Sequence, residues 1–252
     1  MFSEILPKLK DYPHRVIGDC LLINGDAYEI TPLIDGVDCL ISDPPYIIQG
    51  KGCGLAGNRK YLRDITEKKL EDGFNLSLLD GFKRWAIFGS KAQIVPLIAK
   101  AEEQGNSWAL ITWNKPNPSP FVNNNYLPDT EYIIHSFDAG GVYGEYKDKA
   151  RYIVHNNGSN GSTRDYDHPT VKPLAVMEKI IRTASDVGQV VFDPFFGTCS
   201  SGEACIRLGR KFIGIELDAE YYAIGCKRIE DAYRQPDMFV APQPKPEQQS
   251  ML

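Results

Sequence analysis

The chain has 252 residues, 42% of them hydrophobic and 24% charged, with a formal net charge of −5. That suffices for one large α/β domain with a full core, and the net acidity argues against a protein that coats nucleic acid nonspecifically while leaving room for a local basic face. No apolar run approaches the roughly 20 residues of a membrane span, the first residues lack the basic-then-apolar order of a signal peptide, and six scattered cysteines without a Cys-x-x-Cys pair argue against zinc or a disulfide framework and suit buried thiols in a reducing cytoplasm.

In chain order, His14 to Gly18 reads as a short strand, with Asp19 directly after its glycine. Leu21 to Leu33 reads as a helix-bearing connection to a second strand, 37 to 42, so the pair is expected to form a parallel βαβ unit with Asp19 and Asp43 on one sheet edge. The second strand stops abruptly at Asp43-Pro44-Pro45-Tyr46. Two prolines give no N–H to a ladder and hold their neighbours out of the helical region. An acid, an unabsorbed carbonyl and an aromatic ring at a strand's carboxyl end suit a planar ligand with an exocyclic amine; a plain polar turn is the competing reading.

Residues 47 to 60 contain four glycines and read as a loop, and from Lys51 to Lys69 six basic residues face two acidic ones. Such a stretch is either solvated surface or a phosphate contact. Strand 84 to 88 and helix 92 to 104 follow; strands 109 to 113 and 131 to 137 flank a Pro/Asn-rich segment and read as an antiparallel edge hairpin. Trp113, at its loop, is either core or substrate contact. From 138 to 167 the chain is rich in Gly, Asn, Ser and Tyr, with Lys147, Lys149, Arg151 and Arg164 as further polyanion contacts. Helix 172 to 185 follows, with Pro173 in its first turn and Thr170 as a candidate cap.

Val190 to Asp193 is an apolar strand ended by Pro194, and a small-residue turn containing Gly197 joins it to helix 203 to 208. Strand, turn and helix amino terminus form a nucleotide-type cradle. The next strand, 211 to 216, ends in Glu216, about two dozen residues after Asp193, the spacing of an acid that takes ribose hydroxyls. Helix 219 to 233 completes a single domain, 1 to 234, and the Pro/Gln-rich tail, 235 to 252, is expected to be disordered.

Together these motifs resemble the DNA amino-methyltransferases of the circularly permuted β group, in which D-P-P-Y precedes the motif D-P-F-x-G-S-G-T-T and H-P-T-x-K-P lies just ahead of the latter. The matching segments are Asp43 to Tyr46, His168 to Pro173 and Asp193 to Ser201. Gly18-Asp19 is taken as the family's glycine-aspartate ahead of the catalytic strand. The resemblance implies a doubly wound, mostly parallel Rossmann-like fold and S-adenosylmethionine as cofactor. Asp43, Pro44, Pro45 and Tyr46 would be catalytic. Asp193, Phe195, Gly197, Thr198 and Ser201 would line the methionine side of the cofactor pocket, with Thr170 and Lys172 near its carboxylate, Glu216 on the ribose and Asp19 on the adenine amine. Cys199 departs from the family's glycine and puts cofactor affinity in question. Double-stranded DNA is the implied partner, with the target base flipped out and stacked on Tyr46. Aspartate in the tetrapeptide favours adenine N6, with cytosine N4 the alternative; an RNA or protein methyltransferase and a silent DNA-binding relic are remoter readings. Residues 47–75 and 138–167 are the candidate recognition segments. A homodimer would enlarge that surface; the restriction partner and recognition sequence are not legible, and the chemistry uses no metal.

Overall fold

The computed structural model describes residues 2–45, 73–118, 126–157 and 171–234. Its described strands are β1 His14–Ile17, β2 Cys20–Asn24, β3 Cys39–Ser42, β4 Trp85–Gly89, β5 Ser107–Asn114, β6 Thr130–Phe137, β7 Tyr152–Val154, β8 Val190–Asp193 and β9 Lys211–Glu216. They form one sheet in the order β1-β2-β9-β8-β3-β4-β6-β5-β7. The helices are α1 Ala27–Ile30, α2 Ile94–Glu103, α3 Leu174–Ala184, α4 Ser200–Arg207 and α5 Ala219–Arg234.

From β2 through β9, β8 and β3 to β4 every pairing is parallel. Strands buried on both faces lack alternation, which is why Cys39-Leu40-Ile41 and Val190-Val191-Phe192 read as continuous apolar runs. One face packs Cys39, Ile41, Phe88, Val191 and Phe212 against residues of α3, α4 and α5, including Ile180, Ala204 and Ile229. The other packs Leu40, Trp85, Ile87, Phe192 and Ile213 against Ala27 and Ile30 of α1, Leu97 and Ala101 of α2 and the amino-terminal turns. The doubly wound, mostly parallel sheet is thus the one the motifs imply. Its topological switch point falls between β8 and β3, where the chain leaves in opposite directions, and ligands bind at such points beyond the carboxyl ends of the strands.

Two expectations need correction. His14–Ile17 is a strand, but it forms no parallel βαβ unit with β3: the connection opens with Cys20–Asn24, which folds back on it as an antiparallel partner, and only Ala27–Ile30 of that stretch is α-helical. Gly18, at φ +56°, makes the tight turn between them. Cys-Leu-Leu-Ile is a fully buried strand whose lack of periodicity imitates a helix segment. Secondly, β5 and β6 do form an antiparallel pair, but it is not the sheet edge. β6 is inserted between β4 and β5, and β7 closes the sheet parallel to β5. The boundaries also differ at α3, where Pro173 is the N-cap rather than a first-turn residue, and at α4, which begins at Ser200.

His135 lies within β6, opposite Ala86 and Ala109, and is 1% exposed. Burial and, secondarily, the Arg84 charge push its pKa down to about 3. The unfolded chain therefore binds a proton that the folded chain refuses between the ordinary histidine value and about 3, so this residue costs stability as pH falls through that window. Between pH 6.5 and 5.5 the wild type should lose roughly 1 kcal/mol that His135→Gln retains. Urea unfolding of both proteins at the two pH values checks this; equal pH dependence would show that His135 charges in place.

Candidate active site

The carboxyl edge of the parallel strands collects the chemistry. β3 ends at Ser42, putting Asp43 and Pro44 just beyond the sheet, and β8 beside it ends at Asp193. β9 ends at Glu216, opposite Asn24 at the end of β2. Because β6 runs antiparallel, its amino end, with Glu131, arrives at this same edge. Lys115 follows the carboxyl end of β5.

Asp43 meets Lys172, in the extended segment before α3, with Nζ 2.5 Å from Oδ2. The same ammonium meets Glu131 Oε2 at 3.4 Å, and Glu131 Oε1 accepts from Lys115 at 2.5 Å. Burial alone would strip the Lys172 charge, but the carboxylates of Asp43 and then Glu131 outweigh it and hold its pKa above the ordinary lysine value. Burial would likewise raise Glu131, yet the two lysines bring its pKa below the ordinary carboxylate value. The ammonium also lies 5.3 Å from the centre of the Phe88 ring. Gln93, buried at the start of α2, accepts from the Ser90 amide at 3.0 Å and donates to the Pro45 carbonyl at 3.4 Å, tying the end of β4 to the proline turn.

Asp193 faces inward. Its Oδ1 accepts from the Ser42 hydroxyl at 2.6 Å and the Phe195 amide at 3.0 Å, and its Oδ2 accepts from the Ser201 hydroxyl at 2.6 Å. Burial raises its pKa to about 6 against the opposing pull of these bonds. It therefore shapes the turn, joining β8, β3 and α4. Thr198 is also buried, its carbonyl and hydroxyl 3.4 Å from Arg228 of α5. Gly197, at φ +55°, donates its amide to Glu216 Oε2 at 2.9 Å, and Asp218 donates to Oε1 at 2.8 Å. Burial lifts the Glu216 pKa to about 7 against those two N–H bonds. Phe195 meets Tyr28 and Phe74 edge-on at 6.3 and 6.2 Å between ring centres, giving the cradle an aromatic wall. A strand-end carboxylate, turn amides and aromatic faces make a donor set that fits a nucleoside carrying vicinal hydroxyls.

The structure thus brings Asp43, Pro44, Pro45, Lys172, Asp193, Phe195, Gly197, Thr198, Ser201 and Glu216 to one edge. Asp19 is the correction. It sits in the β1–β2 turn at the amino end of β2, its carbonyl bonded to the Phe212 amide at the start of β9, so the length of the strand separates it from Glu216. Its error follows from that of β2: once Cys20–Asn24 is a strand, the acid at the correct edge is Asp26, which caps α1 by accepting from the Tyr28 amide at 2.7 Å. Tyr46, His168 and Thr170 lie outside the described residues. Glu131, Asn24, Tyr28 and Gln93 escaped the sequence reading. Glu131 had a legible signal, since an acid opening the second strand of an antiparallel pair arrives where the parallel strands end.

Cys199 adopts φ +63° and ψ +39°, left-handed backbone that costs a non-glycine residue on the order of 1 kcal/mol. Its side chain turns into the core rather than across the cradle. Gly202 and Gly225 make the room: a Cβ on Gly202 would fall 2.5 Å from the Cys199 sulfur, and one on Gly225 would fall 3.1 Å from Cys199 Cβ.

The family model for DNA methylase matches residues 37–227. A type II methyltransferase, M2.LlaDCHI of Lactococcus lactis subsp. cremoris, is 27% identical over 247 residues, covering 86% of this chain and 91% of that protein. The DNA adenine methyltransferase YhdJ of Escherichia coli (strain K12) is 34% identical over 129 residues, 51% of this chain and 36% of that protein. Among solved structures, the complex of M1.HpyAVI with SAM superposes with a TM-score of 0.60 at 31% identity, covering 83% of this chain and 99% of that one.

Gly202→Ala tests the packing of the turn. In an open helix the change would stabilise by about 1 kcal/mol. Here overpacking against Cys199, Ile229 and Phe212, roughly 1–3 kcal/mol, should outweigh that gain, for a net loss of up to about 2 kcal/mol. Adding Cys199→Gly should restore part of it. Thermal or urea unfolding reads both, and a Gly202→Ala protein as stable as wild type would show that the sulfur is not where the packing is tightest.

Proposed function

We propose that this chain, which belongs to the DNA methylase family, transfers a methyl group from S-adenosylmethionine to the exocyclic N6 of adenine in duplex DNA. The observation that carries the reading is the adjacency of Asp43 and Pro44 to the Asp193–Glu216 cradle across the switch point between β3 and β8. S-adenosylmethionine supplies an electrophilic methyl on a sulfonium. Glu216 and the turn amides are the groups that would take its ribose hydroxyls, and the wall of Phe195, Tyr28 and Phe74 is where its adenine ring would lie.

The residues at the end of β3 handle the amine. An aromatic amine is a poor nucleophile because its lone pair is delocalised into the ring. Two acceptors, the Asp43 carboxylate and the Pro44 carbonyl, each take one N–H and favour a tetrahedral nitrogen whose lone pair points at the methyl. The nitrogen lone pair forms the new N–C bond as the C–S pair departs to sulfur. The methylated nitrogen is cationic and acidic, and it yields one proton to Asp43. Orientation and electrostatics supply most of the rate. The tetrapeptide's aspartate and the likeness to a DNA adenine methyltransferase favour adenine. Target recognition falls to residues 138–167 with help from 47–75 or a second copy of the chain; 46–72 and 158–170 are outside the described residues.

Labelled methyl from S-adenosylmethionine should appear in unmethylated duplex DNA, and nucleoside analysis should identify N6-methyladenine; N4-methylcytosine would reverse the choice of base. Asp43→Ala should keep cofactor affinity and lower transfer by about 10²- to 10⁴-fold. Undiminished turnover in that variant would remove Asp43 from the mechanism.

A further inference from the structure

Between the catalytic carboxylate and the β5–β6 pair runs a row of side chains of alternating charge, Asp43, Lys172, Glu131 and Lys115, with successive contacts of 2.5, 3.4 and 2.5 Å. The row is a built feature. Lys172, Lys115, Glu131 and Asp43 expose only 8%, 11%, 21% and 23% of their side chains, and they come from four separate segments of the chain. The transfer described above uses only Asp43.

Asp43 and Lys172 by themselves are a neutral pair. The amine that Asp43 receives gains a full positive charge as the methyl arrives, and a neutral pair stabilises a cation poorly. Worse, the Lys172 ammonium, 2.5 Å from Asp43 Oδ2, repels the charge being formed on the same carboxylate. A second carboxylate in contact with Lys172 changes the balance. It gives Asp43, Lys172 and Glu131 together one net negative charge, and it offers the ammonium a second seat when the amine claims Asp43. Lys115 bonds Glu131 Oε1, the oxygen that Lys172 does not meet, and it reaches Asp43 only through two intervening contacts, so it opposes the effect less than Lys172 does. At the effective dielectric of protein sites, one unit charge on the order of 7 Å from a developing charge alters a rate by roughly tenfold to a hundredfold.

We propose that Glu131 is a positioning residue for methyl transfer: it draws the charge of Lys172 away from Asp43, so that the carboxylate receiving the amine faces the nascent cation with net negative charge. The inference rests on the amine-methylation reading of the site. It requires no contact between Glu131 and the DNA or the cofactor, and it explains an acid placed at the start of β6, an antiparallel strand that delivers its amino end to this edge.

The test is single-turnover methyl transfer at saturating S-adenosylmethionine, with the dissociation constants of cofactor and of target duplex measured in parallel, the latter by fluorescence of 2-aminopurine at the target position. Glu131→Gln should slow transfer about 10- to 100-fold and leave both dissociation constants within about threefold of wild type. Glu131→Asp, which keeps the charge, should recover most of the rate. The decisive variant is Glu131→Gln with Lys172→Met. If Glu131 were merely structural, removing a second member of the row would make matters worse. On this proposal Asp43 regains its net charge, and the double variant transfers several-fold faster than Glu131→Gln alone. Glu131→Gln also leaves Lys115 short of its carboxylate, so where that variant does not fold, the comparison is made with Lys115→Met added, which removes the uncompensated ammonium; in that background a further Lys172→Met that speeds transfer several-fold supports the proposal, and one that does not overturns it. A Glu131→Gln protein within threefold of wild type, or a double variant slower than the single, overturns it while leaving the methyltransferase reading intact. A wild type that methylates no DNA takes down both.

Discussion

The structure depends first on one buried carboxylate. Asp193, at the end of β8, is 3% exposed and would be costly to bury as an isolated anion. It is made tolerable by the Ser42 and Ser201 hydroxyls and the Phe195 amide. Those same three bonds join the last residue of β3, the turn after β8 and the first turn of α4. Ser42 immediately precedes Asp43, so the group that shapes the turn after β8 also fixes where Asp43 leaves the sheet. The two half-sites, some 150 residues apart in the chain, are thereby held in one geometry by hydrogen bonds only 2.6 Å long.

The second constraint is strand direction. Parallel strands deliver their carboxyl ends, and whatever acids terminate them, to a common edge. Asp43, Asp193 and Glu216 arrive there for that reason alone. β6 reaches the same edge the other way round, contributing Glu131 at its start. Asp19 shows the rule from the opposite side: it stands beside a strand of the same sheet, yet at the amino end, among turn residues bonded to Tyr233 of α5 and to β9.

What could be read from sequence follows from the range of each cause. Asp43-Pro44-Pro45 was legible because proline acts on its immediate neighbours, and Val190 to Asp193 because an uninterrupted apolar run ending in Asp-Pro has few alternatives. The β5–β6 pair was legible as antiparallel from the absence of a crossover helix. The Cys20–Asn24 strand was not, since a buried strand and a buried helix segment have the same composition, and the pairing that decides between them lies almost 200 residues downstream in β9. β7 offered three residues, of which only Ile153 is buried. The inward turn of Cys199 was hidden because it depends on Gly202 and Gly225, neither of which marks itself as a partner. Resemblance to a family supplied the cofactor and the roles; it also carried Asp19 to a place that the strand pairing does not allow.

The charge arrangement at this edge carries its own argument about why it persists. Asp193 and Glu216 have pKa values lifted to about 6 and about 7, chiefly by burial and with smaller contributions from neighbouring acids. A fold selected for stability alone would not gather acids in this way, because each raised carboxyl is a group that would ionise more readily unfolded. The cations supplied are also unevenly placed. Both ammonium groups of the row, Lys172 and Lys115, sit on the β3–β6–β5 side, while the Asp193–Glu216 side is held by neutral hydroxyl and amide donors. On the proposed reading, one half of the edge meets neutral hydroxyl groups and the other a charge that appears only during reaction. Hydroxyls and amides suffice where the ligand brings no net charge to the carboxylate; the proposed transfer, in which a nitrogen becomes a cation, falls on the half that holds the alternating row. The division of labour between cradle and amine site is thus already written in which acids are balanced by lysines and which are not.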